Sequence, residues 1–244
     1  MKSLYITALL SLLSPIGTMN AQHTQEPDTP SILNEKQKKL ISLSAYAARG
    51  DLPKLKIELN EGLDAGLTIN KIKESLIHLY AYCGFPRSIR SLQTFIEVLD
   101  ERKANGINDE WGMASSPIKD KRSKYERGTD ILVNLTKMPP ETFKSGYAAF
   151  APELEIFLKE HLFADLFERD ALTYAERQLI TVSVLVSIGG VEPMLRSHLN
   201  NCLNVGLSPN QLHHFAEVIR FTLGEKEAQA AQAVVNESVK QRGR

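Results

Sequence analysis

The sequence repeats itself at a constant offset of 140 residues, and this restricts the fold more than any other feature. Between residues 50–84 and 190–224, Gly50 matches Gly190, Pro53 matches Pro193, Leu55 matches Leu195, and Leu59 matches Leu199. Leu63 then matches Leu203, Gly66 matches Gly206, Leu67 matches Leu207, Asn70 matches Asn210 and Gly84 matches Gly224, without a gap. Random pairing at about 6% per position would supply about two such matches. A chain of this kind carries one supersecondary unit twice.

The unit reads as helices separated by turns. In the second copy, Thr173 and Glu176 form a capping box ahead of an apolar run over Leu179–Ile188. Gly189 and Gly190 break that helix, and Pro193 suits the first turn of the next. Leu195, Leu199 and Leu203 recur every four residues, and Gly206 follows where a C-terminal cap belongs. Ser208, Pro209 and Gln211 start a further helix in the same way. The first copy mirrors this with Asp51, Pro53, Leu55, Leu59, Leu63 and Gly66. Strand alternation is nearly absent. The expected fold is all-α, two tandem helical repeats over residues 34–103 and 124–244, joined by a polar linker over 104–123. The second copy carries its own upstream helices, including an amphipathic one from Glu153 to Arg169. Ahead of both copies, Lys2, an apolar run from Leu4 to Ile16 and a small residue at Ala21 predict a signal peptide over 1–21. A flexible leader over 22–33 follows, so the mature protein is expected to be exported, to the periplasm in a Gram-negative source.

With 29 basic and 29 acidic side chains the net charge is zero, which argues against a nucleic-acid partner. The basic residues Lys119, Lys121, Arg122, Lys124 and Arg127 are interrupted by Asp120 and Glu126 and read as a solvated face. Cys83 and Cys202 cannot make a four-thiolate zinc site, and they are expected as two buried thiols, with a bridge between them as the alternative in an oxidising compartment.

Polar residues on apolar stripes supply the candidate chemistry. His198 lies between Leu195 and Cys202 on the stripe of its helix. The first copy places Glu58 there, between Leu55 and Leu59. Burial of an ionisable group costs a few kcal/mol unless it is paired, and it shifts the pKa. The plainer reading is a core histidine bonded to a backbone carbonyl. His161, Asp165 and Arg169, at i, i+4 and i+8, make a second row, readable as a site or as a surface ladder. Arg177 and Arg196 are candidate carboxylate-binding cations. His213 and Glu217 are four apart and could share a metal with His198, but no known ligand spacing supports this, so no metal is expected.

The run Gly190-Val191-Glu192-Pro193-Met194-Leu195-Arg196-Ser197-His198-Leu199, followed by Asn204-Val205-Gly206-Leu207-Ser208, resembles the carboxymuconolactone decarboxylase family. Tyr125-Glu126-Arg127-Gly128 and His161-Leu162-Phe163 are similar to upstream elements of that family. In the first copy, His78-Leu79-Tyr80-Ala81-Tyr82-Cys83-Gly84-Phe85-Pro86 is the best match. One branch of this family decarboxylates 4-carboxymuconolactone without a cofactor. The other, alkylhydroperoxidase D-like, works through a C-x-x-C-x-x-x-H motif. Its thiols fall here on Val191 and Met194, and in the first copy on Asp51 and Lys54, so that mechanism has no thiols to use. The resemblance implies a cofactor-independent carboxy-lyase acting on a small lactone or carboxylic acid. His198 would be the acid–base residue, His161 and Arg177 its catalytic companions, and Arg196 and Glu217 would bind substrate. It also implies a homo-oligomer, possible as a trimer of fused pairs. The alternative is a non-catalytic helical assembly or binding module of the same fold.

Overall fold

Capping chemistry sets most helix boundaries in the computed structural model, which describes residues 32–144 and 146–242. The expected signal peptide and the cut after Ala21 lie outside those residues, as does most of the leader. At the leader's end, Leu33 is buried and its amide N–H donates to His214 Nδ1 at 3.1 Å. The first copy comprises α1 (Glu35–Arg49), α2 (Leu52–Asp64), α3 (Ile69–His78) and α4 (Tyr80–Ala104). After the linker come α5 (Lys124–Thr136) and two short helices, α6 (Tyr147–Phe150) and α7 (Pro152–Phe157). A π-helical segment, Leu158–Phe167, then leads into α8 (Tyr174–Ile188), α9 (Glu192–Asn204), α10 (Pro209–Leu223) and α11 (Glu225–Arg242). Among the described residues there is no strand, so the fold is all-α. No helix there is long and apolar enough to cross a membrane.

Helices α1–α4 and α8–α11 are the two copies, each four helices long. The N-caps Thr68 and Ser208 keep the 140-residue offset, and so do the left-handed glycines Gly84 (φ 83°) and Gly224 (φ 111°). The first helix of each copy is displaced by one. Its capping boxes, Asn34 with Gln37 and Thr173 with Glu176, and its terminal glycines, Gly50 and Gly189, are separated by one residue less. Gly190 is the additional residue. Under this corrected register Gln178 is equivalent to Lys39, and Thr181 to Ser42.

The copies interpenetrate about the α1–α8 pair, which packs side by side. Ile41 of α1 belongs to the core of the second copy, with Leu179, Leu199, Phe215 and Val235. Ile180 and Val184 of α8 belong to the core of the first, with Leu43, Leu55, Ile72 and Phe95. Helix α8 is buried at every position from Arg177 to Ser187, as expected of a helix surrounded on all sides. Its polar residues are therefore interior, whatever the average apolarity of the helix.

A third cluster joins α5 to the π-helical segment through Ile131, Leu132, Leu135, Leu162, Phe163, Leu166 and Phe167. Gly128 permits the approach, because a Cβ there would lie 1.8 Å from the Lys159 carbonyl oxygen. The single amphipathic α-helix expected over Glu153–Arg169 is thus α7 continued by wider i→i+5 winding that stops at Phe167. This winding breaks the expected His161, Asp165 and Arg169 row. His161 Nδ1 stays 3.0 Å from Asp165, while Arg169 lies beyond the helical end and turns to Glu74.

Candidate functional site

The capping box of α8 fixes the register that aims Arg177 and Thr181 at the first copy and Gln178 at α9 of its own copy. Arg177 is completely buried. Its Nη2 donates to Glu74 Oε1 at 2.9 Å and to the Arg169 carbonyl at 2.6 Å, and its Nη1 donates to His78 Nδ1 at 3.2 Å. A histidine that accepts at Nδ1 carries its proton on Nε2. His78 Nε2 accordingly donates to Thr181 Oγ1 at 3.0 Å, and that hydroxyl donates to the Arg177 carbonyl at 2.9 Å. Arg169 adds a bidentate contact to Glu74, at 2.8 and 3.0 Å. Burial by itself would raise the Glu74 carboxyl, but the two guanidinium groups outweigh it and hold it below the usual range. Burial, with the Arg177 charge second, keeps His78 neutral well below the ordinary histidine value.

His198 stands beside this network on α9. Its Nδ1 is 2.9 Å from Gln178 Oε1, so Nδ1–H donates and the lone pair lies on Nε2. Burial pulls the His198 pKa down to about 4. Tyr82, from the start of α4, meets the His198 ring edge-on at 5.8 Å and the His78 ring at 5.4 Å, standing between the two histidines. Its hydroxyl is buried next to Thr181 without a well-formed hydrogen bond, and burial raises its pKa. Gln178 Nε2 and Arg177 Nε are also buried donors without partners among the described residues. Unpaired buried donors cost about 1–3 kcal/mol each. They are spread along the His78–His198 pair: Arg177 bonds His78, Gln178 bonds His198, and Tyr82 touches both rings.

The cluster is shared between the copies: Glu74, His78 and Tyr82 come from the first, and Arg177, Gln178, Thr181 and His198 from the second. The symmetry-related place keeps the wiring and changes the chemistry. Glu58 stands for His198 and Lys39 for Gln178, bonded at 3.2 Å, while Ser42 meets Thr222 at 3.1 Å where Thr181 faces Tyr82. Glu58 does not join His198.

The family whose sequence model matches the chain is the carboxymuconolactone decarboxylase family, over residues 19–97 and 152–237. The chain belongs to this family. Two separate matches in one carboxymuconolactone decarboxylase family chain agree with the two copies seen in the fold. An uncharacterized protein of Methanocaldococcus jannaschii, MJ1511, is 29% identical over 70 residues, 29% of this chain and 65% of the relative. The chain therefore spans just under two thirds of that relative's length.

The other residues singled out in the sequence are dispersed. Arg196 pairs with Glu237 on α11 at 2.6 Å, and Glu217 pairs with Arg220 on its own helix. Neither meets His198 as a substrate-binding group would. His213 Nδ1 accepts from Gln232 Nε2 at 2.7 Å. Among the described residues no three His, Cys, Asp or Glu side chains gather to hold a metal ion. His161 forms a surface cluster of its own, accepting from the Tyr80 hydroxyl and bonded to Asp165, which also holds Lys124 at 2.9 Å. Arg177 is present at the site, but as its buried wall. Its terminal nitrogens are taken by Glu74, His78 and the Arg169 carbonyl, and only Nε is without a partner. Cys83 and Cys202 are unbridged; burial pushes the Cys83 thiol up to about 11 and raises Cys202 as well. Two clefts, of about 330 and 390 Å³, lie beside Thr68 and Thr173 and beside Gly189 and Gly190, and neither has His198 in its wall.

The sequence reading missed Gln178, Tyr82 and Glu74 as members of the site. The available signal was Arg177, Gln178 and Thr181, three polar residues at helical spacing at the head of a run that is otherwise apolar.

Proposed function

We propose that this chain is a cofactor-independent enzyme of the carboxymuconolactone decarboxylase family, a carboxy-lyase or a close relative of one, acting on a small lactone or carboxylic acid by acid–base chemistry at His198. One observation supports this above the others. The His198 ring is held through Nδ1 by Gln178, and its Nε2 makes no hydrogen bond to the protein among the described residues. An imidazole fixed by one nitrogen and unbonded at the other is arranged to exchange a proton with a ligand. The hydroperoxidase alternative lacks support, since Val191 and Met194 stand where its thiols would be and Cys202 is buried. The same proposal includes export to the periplasm, motivated by the apolar run Leu4–Ile16, and assembly as a homo-oligomer.

The test follows the ultraviolet absorbance of 4-carboxymuconolactone with the wild type and His198→Ala side by side. Turnover lost in the variant is expected. Turnover that survives the variant removes His198 from the mechanism. A wild type inert toward both carboxylated and uncarboxylated lactones leaves the non-catalytic binding module as the better account.

A further inference from the structure

We infer that the outer face of α4 is a two-fold contact, through which two copies of this chain pair with their α4 helices antiparallel. This rests on the homo-oligomer proposed above and names the surface that forms it. Helices α4 and α11 occupy equivalent places in the two copies and bury the same positions at the 140-residue offset. Ser88, Ser91, Thr94, Phe95 and Val98 on α4 answer to Ala228, Ala231, Val234, Val235 and Ser238 on α11. Packing thus makes the same demands on both helices and leaves the same outer face open on each. On α11 that face carries Glu225, Gln229, Gln232 and Asn236, where Gln229 donates to Glu225 and Gln232 to Asn236, each at 2.9 Å. On α4 the same four places hold Phe85, Ile89, Leu92 and Ile96. Leu92 is half-buried, but Phe85, Ile89 and Ile96 are 61%, 52% and 57% exposed. Their spacing, i, i+4, i+7 and i+11, makes one row about 16 Å long, the seam spacing of helices that pack on each other. Single exposed apolar side chains are ordinary on a protein surface, whereas a continuous row marks a contact. The fold itself does not require this row, since α11 does without it.

The charges beside the row select the occupant. Arg90 stands next to Ile89, toward the start of the helix, and Glu97 and Asp100 follow Ile96, toward its end. Within its own chain Arg90 donates to Gln93 at 3.1 Å and reaches Glu97 only at 3.8 Å, with both ions of that pair about half exposed. An antiparallel second copy centred between Leu92 and Gln93 sets Ile89 against the partner's Ile96, and brings Arg90 beside the partner's Glu97 and Asp100. A parallel copy would set arginine on arginine and glutamate on glutamate, which is unfavourable. The pairing is isologous, so it closes at two copies and leaves no open end. With one base against two acids, the face has no basic excess to hold it on an anionic membrane surface.

Sedimentation equilibrium of the full chain measures the assembly, and disulfide trapping locates the contact. The wild type is expected to sediment as a dimer. The triple variant Phe85→Glu, Ile89→Gln, Ile96→Asn gives α4 the residues that α11 already carries at equally exposed places, so it should keep the wild-type circular dichroism spectrum and sediment as a single chain. Arg90→Glu alone should raise the dissociation constant by about 10-fold, and adding Glu97→Arg should restore it, because each copy then offers the reversed charges to the other. In a Cys83→Ser background, Gln93→Cys should form an interchain disulfide on oxidation, since the antiparallel centre brings the two positions together, whereas Ala233→Cys at the equivalent place on α11 should not. An oligomer whose mass the triple variant leaves unchanged overturns the α4 contact and leaves the homo-oligomer reading in place. A wild-type trimer overturns the two-fold pairing. A monomeric wild type overturns this inference together with the homo-oligomer reading beneath it, and leaves the row to a different protein.

Discussion

Acidification should destabilise this protein well above the pH at which its carboxylates titrate. His198 and His78 are both held neutral by burial, with the His198 pKa at about 4 and His78 well below the ordinary value of 6.5. Once unfolded, each takes a proton near pH 6.5, so the unfolded chain binds more protons than the folded one as pH falls below that value. The stability contributed by each neutral histidine is fully present above the unfolded pKa and is lost as pH falls toward the folded one. At about 1.4 kcal/mol per unit of pKa, moving from pH ~7.5 to pH ~5 removes about 2 kcal/mol through His198, and His78 adds a loss of the same sign. That is a large part of the ~5–15 kcal/mol that usually holds a folded protein together. The Glu74 carboxyl, held below its usual range, contributes its own acid sensitivity only at lower pH. Urea denaturation followed by circular dichroism at pH 7.5, 6 and 5 measures the loss. His198→Gln keeps a partner for Gln178 and removes one of the two groups, so its loss over the same interval should be smaller than that of the wild type by about 2 kcal/mol. A wild type equally stable at pH 7.5 and 5, or a variant with the wild-type slope, would refute the reasoning.

Three other outcomes follow from the packing. Gly128→Ala places a methyl 1.8 Å from the Lys159 carbonyl oxygen and should cost about 2–3 kcal/mol by forcing α5 from the π-helical segment, read as a lowered urea midpoint. Glu74→Gln leaves the Arg177 guanidinium buried without its counter-charge, a loss of about 3–5 kcal/mol, whereas Glu74→Leu combined with Arg177→Met should recover most of it. Thr173→Ala removes the cap that sets the α8 register and should lower stability by about 1 kcal/mol in thermal denaturation.

The local chemistry of the helices was legible in the sequence, and the tertiary wiring of the site was not. The Thr173/Glu176 and Ser208/Gln211 capping boxes, Pro193 in the first turn of α9 and the leucine stripe behind it all appear as expected. Each depends on residues within one turn of one another. The one-residue slip at Gly190 concealed that α1 and α8 open the two copies. With that register lost, the equivalence of Lys39 with Gln178 could not be seen, nor that Glu58 and His198 have matching partners. Arg177 presented itself as a free cation because its counter-ion, Glu74, lies 103 residues earlier. Tyr82 reaches His198 only through the packing of one copy on the other. The π-helical winding over Leu158–Phe167 has no compositional sign of its own, since those residues suit an α-helix equally well. Its place against α5 depends on Gly128, where the missing Cβ matters only once the two backbones meet.

The central claim is that His198 presents an unprotonated Nε2 to a ligand, and nitrogen-15 NMR of the histidine side chains tests it most directly. At pH 6 the His198 ring is predicted to be neutral with its proton on Nδ1, the form fixed by Gln178, and to remain so until the pH approaches about 4. A ring protonated at both nitrogens at pH 6, or a neutral ring carrying its proton on Nε2, would contradict the account.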